Sequence, residues 1–120
     1  MGYCTDYELE IKDLKGHSIE SVDAAIVNMN GYFGNDGYDD EGGYFTWHDV
    51  NDTWFYHEED MVKLSTQFPE LLFTLRGAGE NHEDLWRKYF KNGLIQRAPA
   101  QIIFAEFDET KLGPQNEGGD

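Results

Sequence analysis

Residues 44–57, YFTWHDVNDTWFYH, decide how this chain folds. Both halves are rich in aromatic residues, and Asn51-Asp52 stands between them. Aromatic side chains suit a pleated, half-buried surface, and a polar pair of this kind suits a tight reversal. The stretch therefore reads as a hairpin, with strands over residues 44–50 and 53–57. The approach to it is acidic. Residues 34–52, GNDGYDDEGGYFTWHDVND, hold Asp36, Asp39, Asp40, Glu41, Asp49 and Asp52 with the single histidine His48. The glycines between Gly31 and Gly43 make this approach a loop.

Upstream, Tyr3, Thr5, Tyr7, Leu9 and Ile11 alternate with Cys4, Asp6, Glu8 and Glu10, the period of a half-buried strand. Ser18 is a helix N-cap residue, and Ile19, Val22, Ile26 and Met29 follow at helical spacing, predicting a helix over residues 18–30. Downstream, Glu58, Glu59 and Asp60 open a second helix, where carboxylates suit the positive end of the helix dipole. Met61, Leu64 and Phe68 line its inner face, and Pro69 ends it. Leu71, Phe73 and Leu75 then alternate as a strand, broken at Gly77-Ala78-Gly79. A further hairpin, residues 85–91 and 94–97, turns at Asn92-Gly93, the strongest short hairpin signal in the chain. Pro99 interrupts, residues 101–107 read as a last strand, and residues 113–120 as a flexible tail.

Strand, helix, strand, strand, helix, strand is the order of a ferredoxin-like α+β fold. It predicts an antiparallel sheet with two helices on one face, plus an added C-terminal β-hairpin. One domain spans residues 1–112.

A chain of 120 residues that is 39% hydrophobic and 15% aromatic can bury a core, and it is too apolar for a disordered segment. Its 24 acidic residues against 9 basic ones give a net charge of -15. Such a surface repels nucleic acid and anionic membranes and favours basic proteins as partners; the same charge also serves plain solubility. The lone Cys4 forms no intrachain disulfide, which suits a reducing compartment. No apolar run approaches the roughly 20 residues of a membrane span. The N-terminus lacks a signal-peptide pattern, and Asp6 stands where a myristoylation motif wants Ser or Thr. These points predict a cytoplasmic protein.

The chemistry-bearing motifs are thin. An EF-hand loop starting at Asp36 would need oxygens at Tyr38, glycine at Glu41 and glutamate at Trp47; one starting at Asp39 meets Gly43, Tyr44 and Val50. Neither fits, although Asp36, Asp39, Asp40 and Glu41 leave a looser divalent site, and with it a metal-dependent enzyme, as a third reading. His17, His48, His57 and His82 show no zinc spacing. There is no Gly-x-Ser-x-Gly, and acidic neighbours make Cys4 a poor nucleophile. Gly77-Ala78-Gly79-Glu80 lacks the Lys of a phosphate loop. Direct nucleic-acid binding wants a basic surround for the aromatics, yet residues 16–62 contain eleven acidic residues and no Lys or Arg. The expectation is a non-enzymatic protein without cofactor or metal.

Residues 55–96 and 102–112, FYHEEDMVKLSTQFPELLFTLRGAGENHEDLWRKYFKNGLIQ and IIFAEFDETKL, resemble a group of small acidic proteins encoded by phages and prophages. The shared pattern is H-E-E-D, a short helix, F-P, L-F-T-L, G-x-G-E, D-L-W-x-K-Y-F-K-N-G and I-x-F-x-x-F-D. The likeness covers about half the chain and carries no catalytic signature. It implies an accessory protein, and such proteins often inhibit host defences, including CRISPR effectors and restriction enzymes, by occluding a basic nucleic-acid groove. The leading expectation is thus a phage inhibitor, of the anti-CRISPR kind, that binds a basic host protein. Its contact residues would be Asp36, Asp39, Asp40, Glu41, Asp49, Asp52, Glu58 and Glu59, with Trp47 and Trp54 as the apolar anchor. The alternative is a homo-oligomeric scaffold, a homodimer or larger, pairing through the edge of the last hairpin.

Overall fold

The computed structural model describes residues 3–34, 37–81 and 83–115. The fold is α+β. Six antiparallel strands form one sheet: β1 (Thr5–Ile11), β2 (Asp39–Asp40), β3 (Phe45–Asp52), β4 (Phe73–Gly79), β5 (Leu85–Lys91) and β6 (Leu94–Pro99). The helices are α1 (Ile19–Met29), the one-turn α2 (Gly31–Gly34) and α3 (His57–Gln67), with a 3₁₀ turn at Glu109–Lys111. Across the sheet the order is β2-β3-β1-β4-β5-β6. No helix among the described residues is long and apolar enough to cross a membrane.

The alternation of β1 sets the layers. Leu9 pairs with Trp47 on β3 and with Leu75 on β4, and all three are fully buried. Tyr7, Ile11, Phe45, Phe73 and Phe90 extend this face, and Val22 and Ile26 of α1 and Met61 and Leu64 of α3 close over it. Each such side chain contributes about 1.5–3 kcal/mol by leaving water. α1 begins as expected, with Ser18 Oγ accepting the Ser21 amide at 3.2 Å. α3 has no side-chain cap, and the acidic residues of its first turn compensate the dipole instead.

The 44–57 hairpin does not form. β3 continues through Asn51, a left-handed residue (φ 58°) whose amide donates to Asp6 Oδ1 at 2.7 Å, so the strand end is stapled to β1. The next residues turn inward: Trp54 is buried, its indole N–H donates to Asp60 Oδ2 at 2.8 Å, and α3 starts at once. The hairpin partner of β3 lies before it. Gly42 (φ 67°) and Gly43 (φ 90°) make the two-residue turn, with Glu41 and Tyr44 closing it by reciprocal backbone hydrogen bonds of 2.9 and 3.3 Å.

Two further expectations are corrected. β4 does not break at Gly77 but runs on to Gly79. Gly77 faces Trp86 across the β4–β5 pair, and a Cβ there would enter the indole ring, so this glycine makes room for an aromatic rather than a turn. Residues 101–107 join no strand. They leave β6 as an exposed arm. At the β5–β6 turn, Asn92 (φ 50°) and Gly93 (φ 78°) take the left-handed conformations that Asn-Gly favours, and the Gly93 amide donates to the buried Ser65 Oγ of α3 at 2.8 Å.

Gly77→Ala is expected to cost about 1–3 kcal/mol by forcing Trp86 off its site. Urea denaturation of the two proteins measures it, and an unchanged midpoint would remove the close-approach argument.

Candidate functional site

The face of the sheet away from the helices is uncovered, and its acidic end is the candidate site. The Gly42-Gly43 turn folds Asp39 and Asp40 back beside Phe45 and Thr46. Because β1 and β3 pair with Glu8 opposite His48, the acidic hairpin and the outward side of β1 come together. The result is a groove of about 460 Å³ lined by Glu8, Asp39, Asp40, Glu41, Tyr44, Thr46 and His48. No Lys or Arg lines it; the one basic group is His48, whose Nε2 lies 3.6 Å from Asp39 Oδ2. The Asp39, Asp40 and Glu41 side chains are exposed, and the Asp40 carboxylate accepts the Gly43 amide at 3.1 Å.

Of the expected contact residues, the structure brings together Asp39, Asp40 and Glu41. Asp36 lies outside the described residues, as does His82. Trp47 is fully buried and donates from its indole N–H to Asp23 Oδ1 at 2.9 Å, and Trp54 is in the core as described. Neither is an apolar anchor for a partner, because strand alternation and the inward turn after Asp52 commit them to the helix side. Phe55 and Tyr56, 81% and 66% accessible, lie beyond the other end of β3 at the start of α3.

Asp49 is also corrected, since it points into the helix layer and is buried. Burial, then the adjacent Asp52, raises its carboxyl to about 7, opposed by a hydrogen bond from Asn30. Its buried Oδ2 lacks a hydrogen-bond partner among the described residues. A protonated Asp49 donating to Asp52 accounts for this arrangement, since two bare carboxylates in contact repel. Asp52 is half-buried and accepts the Thr53 amide at 2.7 Å.

Glu58 is engaged within the fold. Its carboxylate receives two bonds from Arg97, at 2.8 and 2.9 Å, and an ion pair from Lys88 at 2.8 Å. Arg97, then Lys88, hold its pKa near 2, well below the usual carboxylate range. Lys88 lies 4.3 Å from the Trp86 ring centre and 2.7 Å from His57 Nε2, while His57 Nδ1 meets the Trp54 carbonyl at 3.0 Å. Burial, with Lys88 acting in the same direction, keeps that imidazole below its ordinary pKa. This network clamps the start of α3 to the β5–β6 hairpin. Glu59 alone of the pair stays exposed.

The residues the motif search missed are Asp6 and Glu8. Their alternation placed them outward, but only strand pairing puts Glu8 beside the acidic hairpin. Among the described residues no cluster of three or more His, Cys, Asp or Glu side chains is arranged to hold a metal ion. Comparison with protein-family models, curated proteins and solved structures found no match to this chain.

The Asp49 pair makes stability depend on pH. The folded pKa of about 7 exceeds the ordinary 3.8, so the folded state binds the extra proton between these values. The contribution is complete below pH 3.8 and is lost as pH rises through 7. Asp49→Asn should therefore match the parent only below pH 3.8 and exceed it by roughly 2–4 kcal/mol in alkaline buffer. Chemical denaturation at both pH values tests this, and parallel profiles for the two proteins would refute it.

Proposed function

We propose that this chain is a non-enzymatic inhibitor encoded by a phage. In this reading it acts in the host cytoplasm on a basic, nucleic-acid-binding defence protein such as a CRISPR effector. The observation that carries the reading is the acidic groove, where Glu8, Asp39, Asp40 and Glu41 come together with no Lys or Arg in the lining, Arg76 reaching only Glu8 at 4.0 Å. Carboxylates on a rigid strand and a two-residue turn can sit where a basic groove expects phosphates, and little loop entropy is lost when they dock.

The fold reading belongs to the same proposal. The order β2-β3-β1-β4, with α1 leading from β1 to the β2–β3 hairpin and α3 from β3 to β4, supports a ferredoxin-like unit to which β5 and β6 are added. The alternative, a homo-oligomeric scaffold, draws on the unpaired outer edge of β6.

The test is competition. The chain should displace guide RNA or target DNA from a purified basic defence nuclease and block its cleavage, with an effect that weakens as salt rises. The triple variant Asp39→Asn, Asp40→Asn, Glu41→Gln should slow association about tenfold at low salt and flatten the salt dependence, while melting like the parent. Unchanged inhibition by this variant would refute the acidic-groove mechanism. Failure of the parent to displace nucleic acid from representative CRISPR and restriction enzymes would refute the reading itself.

A further inference from the structure

The arm beyond β6 is the feature that a single copy leaves unexplained. Ile103, Phe104 and Phe107 are 82%, 84% and 78% accessible, and Ile102 and Leu112 are exposed beside them. The radius of gyration is 18.2 Å, against roughly 14 Å for a compact chain of this length. Five large apolar side chains held in water on one twelve-residue segment have a cost that a partner surface removes.

A surface that matches the arm lies on the chain itself. On the open face of the sheet, strand pairing sets Ala78 beside Leu85, and the Ala100 amide bonds to the Leu85 carbonyl, forming an apolar row. With Val50 and Ala98 these residues line a groove of about 600 Å³. The next row holds Arg76 opposite Arg87. Below it lies a second groove of about 410 Å³ with Lys12, Lys15, Arg76, Arg87 and Lys91 in its wall, together with Glu10, Asp13 and Glu70; Lys12, Lys15 and Arg76 pair with Glu10 and Asp13. The wall thus holds five of the nine Lys and Arg residues in a chain of net charge -15. Arg87 and Lys91 hold no ion pair among the described residues. The arm is net acidic, with Glu106, Asp108 and Glu109 interspersed with and following its apolar residues against the single Lys111.

We propose that the arm of one copy, residues 101–112, docks across the open sheet face of a second copy, and that the exchange is reciprocal. Ile102, Ile103, Phe104 and Phe107 lie along the Ala78–Leu85 row, and Asp108 and Glu109, which follow, reach Arg87 and Lys91. The lengths agree. Five strand spacings of about 4.8 Å make the sheet about 24 Å wide, and twelve extended residues reach about 40 Å. The exchange uses the sheet face and not the β6 edge, and its groove adjoins the acidic groove at Glu8 and His48.

Sedimentation of the full chain over a wide concentration range tests the proposal. The expected species has twice the 13.8 kDa mass of one chain. Ile103→Asp with Phe107→Asp should yield a monomer with unchanged circular dichroism, since these side chains touch no core residue. Arg87→Glu with Lys91→Glu, which leaves the arm intact, should weaken dimerisation about tenfold or more by opposing acid to acid. A monomer at every concentration would overturn the proposal, including the case in which the arm folds back on its own sheet. A dimer that survives both variants would also overturn it, and would point to edge pairing of β6.

Discussion

The pairing of β1 with both β3 and β4 is the constraint on which the rest of this structure depends. As the central strand of a one-sided sheet, it must send Tyr7, Leu9 and Ile11 into the helix layer and Asp6, Glu8 and Glu10 to the other side. The inward row aligns Trp47 and Leu75 about Leu9, and the two main helices close over that row. The outward row fixes a line of carboxylates in the middle of a face with no covering layer. Such a face must be stabilised by charge pairing, by water or by another molecule.

Charge is distributed along that face in an ordered way. Carboxylates occupy β1 and the β2–β3 hairpin, while Arg76, Arg87 and Lys91 occupy β4 and β5. Arg76 spans the boundary, reaching Glu10 at 3.1 Å and Glu8 at 4.0 Å. Glu10 is buried despite its outward direction, and the Tyr44 hydroxyl also hydrogen bonds to it. One end of the sheet thus presents negative charge to a partner, and the other end accepts it. The two proposed binding events use one face, and their grooves meet at Glu8 and His48.

The helix side is held by a different kind of polar contact. Buried indoles donate to acidic side chains of the helices, Trp47 to Asp23 and Trp54 to Asp60, and Glu58 gathers Lys88 and Arg97. Several acidic residues that count toward the net charge are therefore structural. Asp23, Asp60, Glu58 and Asp49 serve packing, and the exposed carboxylates at the hairpin carry the surface field. Net charge alone overstates how much of the acidity faces a partner.

Local periodicity determined β1, α1, α3 and the β5–β6 hairpin, because each has an unbroken pattern of period 2 or 3.6 or a turn dipeptide whose backbone preference is strong. Asp39, Asp40 and Glu41 were legible as an exposed acidic loop for the same reason. The tertiary structure decided everything that rests on competition between equal local preferences. Asn51-Asp52 and Gly42-Gly43 are both turn sequences, and the chain uses the second because Asp6 captures the Asn51 amide and the core takes Trp54. Gly77 reads as a break until Trp86 is placed over it. Residues 101–107 have the apolar content of a strand, but a strand needs a paired neighbour, and these residues pair with none. The sequence specifies what each segment can be; which neighbour it meets is a property of the assembled sheet.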